Sequence, residues 1–78
     1  MYLPTGNELK AARALAGLRT GEVATLAKVD NSTLSRLEGF GPHTVRGHSV
    51  TIAKIIKVLT QHGVEITPNC VRLLKTRR

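Results

Sequence analysis

The chain has 78 residues and a mass of 8.4 kDa, which is room for one small domain. Twelve Lys and Arg against five Asp and Glu give a net charge of +7. Hydrophobic residues make up 41%, enough for a core, and that core must be aliphatic because the chain has one Tyr, one Phe and no Trp. The single cysteine, Cys70, forms no internal disulfide, and no stretch approaches the roughly 20 apolar residues that span a bilayer. A large enzyme, a disulfide scaffold and a membrane span are excluded.

The positive charge indicates a polyanionic partner, and nucleic acid is the commonest one. Charges are scattered through residues 1–20, unlike the pattern of a signal peptide, so we expect a cytoplasmic, nucleoid-associated protein. Residues 72–78 contain four basic residues and no acid, whereas residues 1–71 contain eight basic and five acidic residues. The last seven residues therefore carry +4 of the +7, as either a solvated end or a clamp on a DNA backbone.

The apolar spacing predicts a first helix from Glu8 to Ala16. One of its faces has apolar residues at i, i+3 and i+7, namely Leu9, Ala12 and Ala16. We expect Gly6 and Asn7 to supply the start of this helix and Gly17 to end it in a left-handed conformation.

A second helix is predicted from Thr20 to Ala27, and a third follows Asp30, which we expect to cap it. About three residues join the two helices, with Val29 filling the turn. The small side chain of Ala24 lies where the helices would cross closely. This arrangement predicts a helix-turn-helix.

The third helix buries Leu34 and Leu37 and leaves four polar residues pointing outward: Asn31, Ser32, Ser35 and Arg36. Three short polar groups and one guanidinium are suited to base edges in a major groove. The plainer alternatives are that Arg36 is a solvated helix charge and that Asn31 and Ser32 satisfy free amides of the first turn.

Residues 43–48 have no apolar period and are predicted to form a loop. Within it Arg46, His43 and His48 either contact phosphate or the minor groove, or are solvated loop residues. Ser49 is expected to cap a long fourth helix that ends near His62 and Gly63. The apolar surface of this helix is wider than one stripe, so part of it is expected to face something other than the core.

The last segment changes to a β pattern. Val64–Thr67 and residues 70–74 flank the turn dipeptide Pro68-Asn69, which predicts a short C-terminal hairpin that packs on the helices or on a second subunit. The predicted fold is mostly α: one domain over residues 1–78, a compact four-helix bundle containing a helix-turn-helix, with residues 64–78 as an accessory dimerisation segment. The residues expected at the dimer interface are apolar, namely Ile56, Leu59, Val64, Ile66, Val71 and Leu73.

Two blocks of the chain resemble the phage-repressor type of helix-turn-helix, the Cro and xenobiotic-response-element group. They are residues 8–24, ELKAARALAGLRTGEVA, and residues 29–38, VDNSTLSRLE. The C-terminal HGVEI (residues 62–66) and VRL (residues 71–73) are similar to the ending of short bacterial regulators in that group. The resemblance covers most of the chain, and the central block is its most specific part.

The resemblance implies sequence-specific binding to double-stranded DNA, usually as a two-fold dimer at an inverted repeat. Asn31, Ser32 and Arg36 occupy the base-reading positions of the family, and Ser35 lies beside them. Thr33 stands where the family often contacts phosphate, and Thr20 where its members usually have a Gln that grips the backbone. Glu38 matches a common acidic position, which we interpret as structural.

The chain departs from the family pattern at two turns. Arg19 stands where Ser or Thr normally caps the second helix, so either Thr20 caps that helix or Arg19 gives up the cap for a phosphate contact. Lys28 replaces the turn glycine, and a left-handed conformation there costs about 1 kcal/mol. These departures affect the contacts to the DNA backbone and not the fold.

No constellation in the sequence indicates catalysis, a cofactor or a small-molecule ligand. The histidines and Cys70 lack the close pair spacing of zinc ligands, and neither a nucleophile with its base nor a phosphate-binding loop is present. The sequence therefore predicts a small bacterial or mobile-element transcription regulator that binds an operator as a homodimer. It would act by repression, blocking polymerase most simply at its own operon, or alternatively by activation through contact with polymerase. The alternatives are an antitoxin that also neutralises a toxin, and a protein-interaction module that has kept the fold.

Overall fold

The structure is a computed structural model, and it describes residues 2–68 and 70–73 of the chain. These residues form four helices followed by two strands: α1 (Gly6–Leu15), α2 (Thr20–Ala27), α3 (Asn31–Glu38), α4 (Ser49–Gln61), β1 (Val64–Thr67) and β2 (Cys70–Leu73). The predicted four-helix domain with a C-terminal hairpin is confirmed. None of the helices in this part of the chain is long and apolar enough to cross a membrane. The basic residues 75, 77 and 78 lie outside the described residues.

A capping box starts α1 two residues before the predicted position. The hydroxyl of Thr5 accepts a hydrogen bond from the Glu8 N–H at 3.1 Å, and the Glu8 carboxylate accepts one from the Thr5 N–H at 2.9 Å. These two bonds satisfy donors that every helix start leaves free. Thr5, and not the pair Gly6-Asn7, therefore supplies the start.

The end of α1 follows the prediction closely. The last helical residue is Leu15, one before the predicted Ala16, and Gly17 has the expected left-handed conformation with φ 74°. The Leu18 N–H donates to the Arg13 carbonyl at 3.1 Å, as in a Schellman motif. This bond turns the chain sharply toward α2.

The predicted bounds of α2 and the N-cap position of Asp30 are confirmed, whereas the predicted cap of α4 is wrong. Asp30 occupies the N-cap position of α3, yet its side chain makes no capping hydrogen bond among the described residues; its carbonyl accepts from the Thr33 N–H at 3.0 Å. Ser49 is the first residue of α4 and His48 is the N-cap. Ser49 cannot cap because capping requires the residue that precedes the first helical one.

The core is aliphatic, as predicted, and all four helices contribute to it. Leu34 and Leu37 of α3 are each 1% exposed. On α4 the buried face consists of Ile52, Ile55, Val58 and Leu59, while Val50 on the other side is 65% exposed. The wide apolar surface of α4 is therefore only partly used by the core.

The hairpin packs on the helices, which was one of the two predicted arrangements. Its strands are antiparallel, with Val64 opposite Leu73 and Ile66 opposite Val71. Alternation places these four residues on one face, which packs against α1 and α4. The first strand is confirmed as Val64–Thr67, and the second ends at Leu73, the last described residue; Leu74 and Asn69 of the predicted hairpin lie outside the described residues.

The predicted loop between α3 and α4 is held against the start of the chain. Val45 is 1% exposed and belongs to the core. Its N–H donates to the Pro4 carbonyl at 2.9 Å, and the Gly6 N–H donates to the His43 carbonyl at 3.2 Å. The isolated apolar residue in a polar loop was the signal for this anchor, which the sequence analysis missed.

Gly6 lies where α1 approaches the turn after α3 most closely. A Cβ added at Gly6 would be 2.7 Å from the Glu38 carbonyl oxygen and the Gly41 nitrogen, and 2.8 Å from the Leu37 carbonyl oxygen. All three are backbone atoms, which cannot rotate away. Glycine is therefore required here by space and not by its conformational freedom.

Replacing Gly6 with Ala tests this contact. We expect G6A to lower the free energy of unfolding by about 2 kcal/mol, because the added methyl group overpacks the junction of α1 and α3. G21A is the matched control, since a Cβ at Gly21 meets nothing within 4 Å. The control should be neutral or stabilising by up to about 1 kcal/mol, through helix propensity. Urea denaturation of both variants measures the difference, and equal stabilities would contradict the close approach.

Candidate nucleic-acid interface

The spacing of α2 and α3 is compatible with a helix-turn-helix. Lys28, at the end of α2, has a left-handed backbone conformation with φ 60° and ψ 45°, which a glycine at this position would also adopt. Val29 is partly buried against the core, and Ala24 is 3% exposed. The small side chain and the apolar turn residue therefore have the places predicted for them.

The outer face of α3 is polar and exposed. Its exposed residues are the four predicted to read bases, Asn31, Ser32, Ser35 and Arg36. Leu34 and Leu37 hold the opposite face in the core. In the described part of the chain, the Arg36 guanidinium has no ion pair or hydrogen bond, so its donors point to solvent.

An ion pair fixes α3 relative to α1. Arg13 Nε donates to Glu38 Oε2 at 2.7 Å, and Arg13 Nη2 donates to Glu38 Oε1 at 3.2 Å. A third donor, Nη1, reaches the Leu18 carbonyl at 3.1 Å in the turn before α2. The side chains of Arg13 and Glu38 are only 17% and 10% exposed. The structural role predicted for Glu38 is thus supported, whereas its partner Arg13 was not identified from the sequence.

A small cleft lies between α3 and the start of α4. Thr33, Arg36, His48 and Thr51 bring hydroxyl, guanidinium and imidazole groups to it, and Leu37 and Ile52 are its apolar members. No acidic side chain is among the described residues that line it. Such a set of donors is suited to a phosphate oxygen. Thr51 was missed by the sequence analysis, because its place in the cleft depends on how α4 packs against α3.

Three further residues predicted to contact the DNA backbone lie outside this cleft. Arg19 is exposed at the N-cap of α2, where its N–H donates to the Glu22 carboxylate at 2.7 Å. Thr20 is the first helical residue and not the cap, so the alternative in which Thr20 caps α2 is wrong. Arg46 is exposed in the loop, directly after the buried Val45.

The predicted dimer residues fall into two groups. Leu59 and Val64 are each 1% exposed and belong to the core of the chain, which leaves no surface for a second copy. This corrects the expectation for these two residues. The other four retain exposed surface: Leu73 is 41% exposed, and Ile56, Ile66 and Val71 are half-buried against the core.

The acidic side chains are largely occupied by contacts within the chain. Glu8 and Glu22 accept from backbone N–H groups, Glu38 pairs with Arg13, and Glu65 pairs with Arg72 at 2.8 Å. Most of the cations of the described residues have no such partner. The described surface therefore carries several cations that have no acidic partner within this part of the chain.

The histidines do not converge with other metal-binding groups. Over residues 2–68 and 70–73, no three His, Cys, Asp or Glu side chains form a group that could hold a metal ion. His62 Nδ1 lies 2.9 Å from the Val58 carbonyl oxygen at the end of α4. That contact is a helix-end hydrogen bond.

The chain matches no protein-family model, and no curated protein or solved structure is significantly similar to it. The function must therefore be argued from the fold and from the exposed residues of the chain itself.

The ion pair between Arg13 and Glu38 makes a testable contribution to stability. We expect E38Q to lower the free energy of unfolding by about 1–3 kcal/mol, because it leaves a mostly buried guanidinium without its counter-charge. E65Q is the matched control, since the Arg72–Glu65 pair is 64% and 37% exposed and should be worth at most about 0.5 kcal/mol. Thermal or urea unfolding of both variants distinguishes them. Similar losses in the two variants would contradict the role given to Arg13.

Proposed function

We propose that the chain is a transcription regulator that binds double-stranded DNA and reads its sequence with α3. The observation that carries this proposal is the exposed polar face of α3, on a helix whose other face is fixed by two core leucines and an ion pair. A base-reading helix needs this combination, because side chains discriminate bases only when their backbone is held in place. The proposed role is binding, without catalysis or a cofactor.

Arg36 is the proposed principal base contact. A guanidinium donates two parallel hydrogen bonds to the major-groove edge of guanine, and the Arg36 donors are unoccupied within the described chain. Asn31, Ser32 and Ser35 are short side chains suited to neighbouring base edges. Substitution of Arg36 is therefore the most direct test of base reading.

Phosphate contacts are proposed on both sides of α3. The cleft shared by Thr33, Arg36 and His48 would take one backbone phosphate. Arg19 and Thr20 at the start of α2 and Arg46 in the anchored loop would take others. Such contacts set the position of a protein on DNA without reading its sequence.

A homodimer is proposed because one copy of α3 reads only one segment of groove. The described chain extends 32 Å at most, and α3 has eight residues. Successive major grooves on one side of DNA are about 34 Å apart, so an inverted repeat requires two copies. Leu73, with Ile56, Ile66 and Val71, is the proposed contact surface. The regulator would act by occupying its operator, most simply as a repressor of its own operon.

Replacing Arg36 with Ala tests the base-reading role. On a duplex enriched from random DNA by the full chain, we expect R36A to weaken binding by about 1–3 kcal/mol, roughly 5- to 150-fold, and to relax base preference at one position. K10A, an exposed cation of α1, is the control and should retain the base preference. Fluorescence anisotropy measures both variants. Unchanged affinity and base preference in R36A would remove α3 from the interface.

Sedimentation tests the dimer. At micromolar concentration we expect twice the 8.4 kDa chain mass, and we expect L73D to shift the equilibrium to monomer because it places a charge in the apolar contact. V50D is the control, since Val50 at the start of α4 is more exposed than Leu73 but is not among the residues of the proposed contact surface. A monomer both free and on DNA would contradict the dimer.

A further inference from the structure

Two grooves meet at one exposed leucine on α2. The first runs along α2 and is mainly apolar; it is bordered by Leu18, Gly21, Thr25 and Leu26, and also by Arg19 and by Glu22, whose carboxylate accepts from the Arg19 N–H. The second lies between α2 and α4 and shares Leu26. Leu26 is 51% exposed, although it is a large apolar side chain on a helix that otherwise contributes to the core. The two grooves adjoin at Leu26, and we call them together the α2–α4 groove.

Three lysines border the second part of the α2–α4 groove. They are Lys28 at the end of α2, and Lys54 and Lys57 one turn apart on α4. None of their ammonium groups has an ion pair or hydrogen bond within residues 2–68 and 70–73. Lys28 has a left-handed backbone conformation, which Gly would adopt without strain. The part of the groove between α2 and α4 therefore carries three lysines and, among the described residues that line it, no acidic side chain.

We propose that the α2–α4 groove is a docking site for an acidic amphipathic helix of a partner protein. The apolar side chains of such a helix would cover Leu26 and the groove along α2, and its carboxylates would lie over Lys28, Lys54 and Lys57. Helix-in-groove recognition uses this division, with apolar anchors for affinity and complementary charge for orientation and association rate. This site goes beyond the proposed DNA binding.

A second copy of the chain fits this groove poorly. Four of the five acidic side chains already make contacts within the chain, so a copy has few carboxylates to offer three lysines. A two-fold contact through the groove would also place the lysines of one copy against those of the other. The charge complementarity therefore favours a partner of different and acidic composition.

DNA also fits this groove less well than an acidic helix does. Phosphates match the lysines but do not bury an exposed leucine or the apolar groove beside it. The residues of α4 that border the groove, Lys54 and Lys57, are distinct from Thr51 in the cleft beside α3. The cleft beside α3 and the part of the groove on α4 share no lining residue, so a partner helix and DNA would contact different parts of α4, whereas Arg19, a proposed phosphate contact, borders the part of the groove along α2.

A designed peptide provides the test. The probe is a 14-residue amphipathic helix with Leu at positions i, i+3, i+4 and i+7 and Glu on its other face. It is titrated into the ¹⁵N-labelled full-length chain. We expect amide shifts at Leu26, Lys28, Lys54 and Lys57, and we expect the same peptide with Lys in place of Glu not to bind. Shifts confined to other surfaces, equal binding of the basic peptide, or no binding at millimolar peptide would overturn the proposal.

Variants of exposed residues sharpen the result. K54Q/K57Q should weaken peptide binding about tenfold, because two interfacial charge pairs are lost. L26S should weaken it through the apolar contact, and K10Q is the matched control for a lysine outside the groove. R36A should leave peptide binding unchanged, so failure of this proposal and failure of the DNA proposal are distinguishable. If K54Q/K57Q behaves like K10Q, or if duplex DNA shifts these lysines and displaces the peptide, the proposal is wrong.

Discussion

The position of α3 depends on the Arg13 guanidinium. With three donors it joins Glu38 at the end of α3 to the Leu18 carbonyl before α2, while Arg13 itself belongs to α1. One side chain thus connects α1 with the turn before α2, five residues further along, and with the end of α3, 25 residues further along. Its bonds to Glu38 are largely shielded from water, where charge-assisted hydrogen bonds are strong and their loss is costly. Together with Leu34 and Leu37, this contact determines which face of α3 is exposed.

The distribution of charge on the chain depends on which acidic side chains already have partners. Four of the five carboxylates stabilise helix starts or hold elements together, and so they are engaged within the chain. Among the described cations without an ion pair, Arg36 lies at the cleft beside α3, and three lysines border the α2–α4 groove. A single composition value of +7 therefore conceals at least two surfaces with different neighbours, one polar and one apolar.

Local patterns in the sequence predicted the elements, and long-range contacts escaped prediction. The bounds of α2 and the exposed face of α3 followed from apolar spacing, since burial of Leu34 and Leu37 leaves one possible outer face. Thr5 and Glu8 also indicate the start of α1, but Gly6 and Asn7 between them led to a predicted start that was two residues too late. Gly6 itself is explained only by its contact with the turn after α3, which no local pattern indicates.

The residues of the candidate site also divide into those that local spacing predicts and those that come together only through packing. Asn31, Ser32, Ser35 and Arg36 were predictable because they lie on one short helix. Thr51 and His48 join Arg36 only through the packing of α4 on α3, so the cleft could not be predicted from spacing. The dimer residues Leu59 and Val64 were misjudged because their strand and helix turn them inward, and an apolar residue looks the same in sequence whether it faces a core or a partner.

Selection of binding sites from random duplex DNA, followed by footprinting, tests the central claim most directly. That claim is that the exposed face of α3 reads DNA sequence. The account predicts an enriched inverted repeat whose half-sites are about 10 base pairs apart from centre to centre, with protection in successive major grooves on one side of the duplex. A pool that shows no enriched sequence after repeated selection, or protection without any base preference, would contradict it.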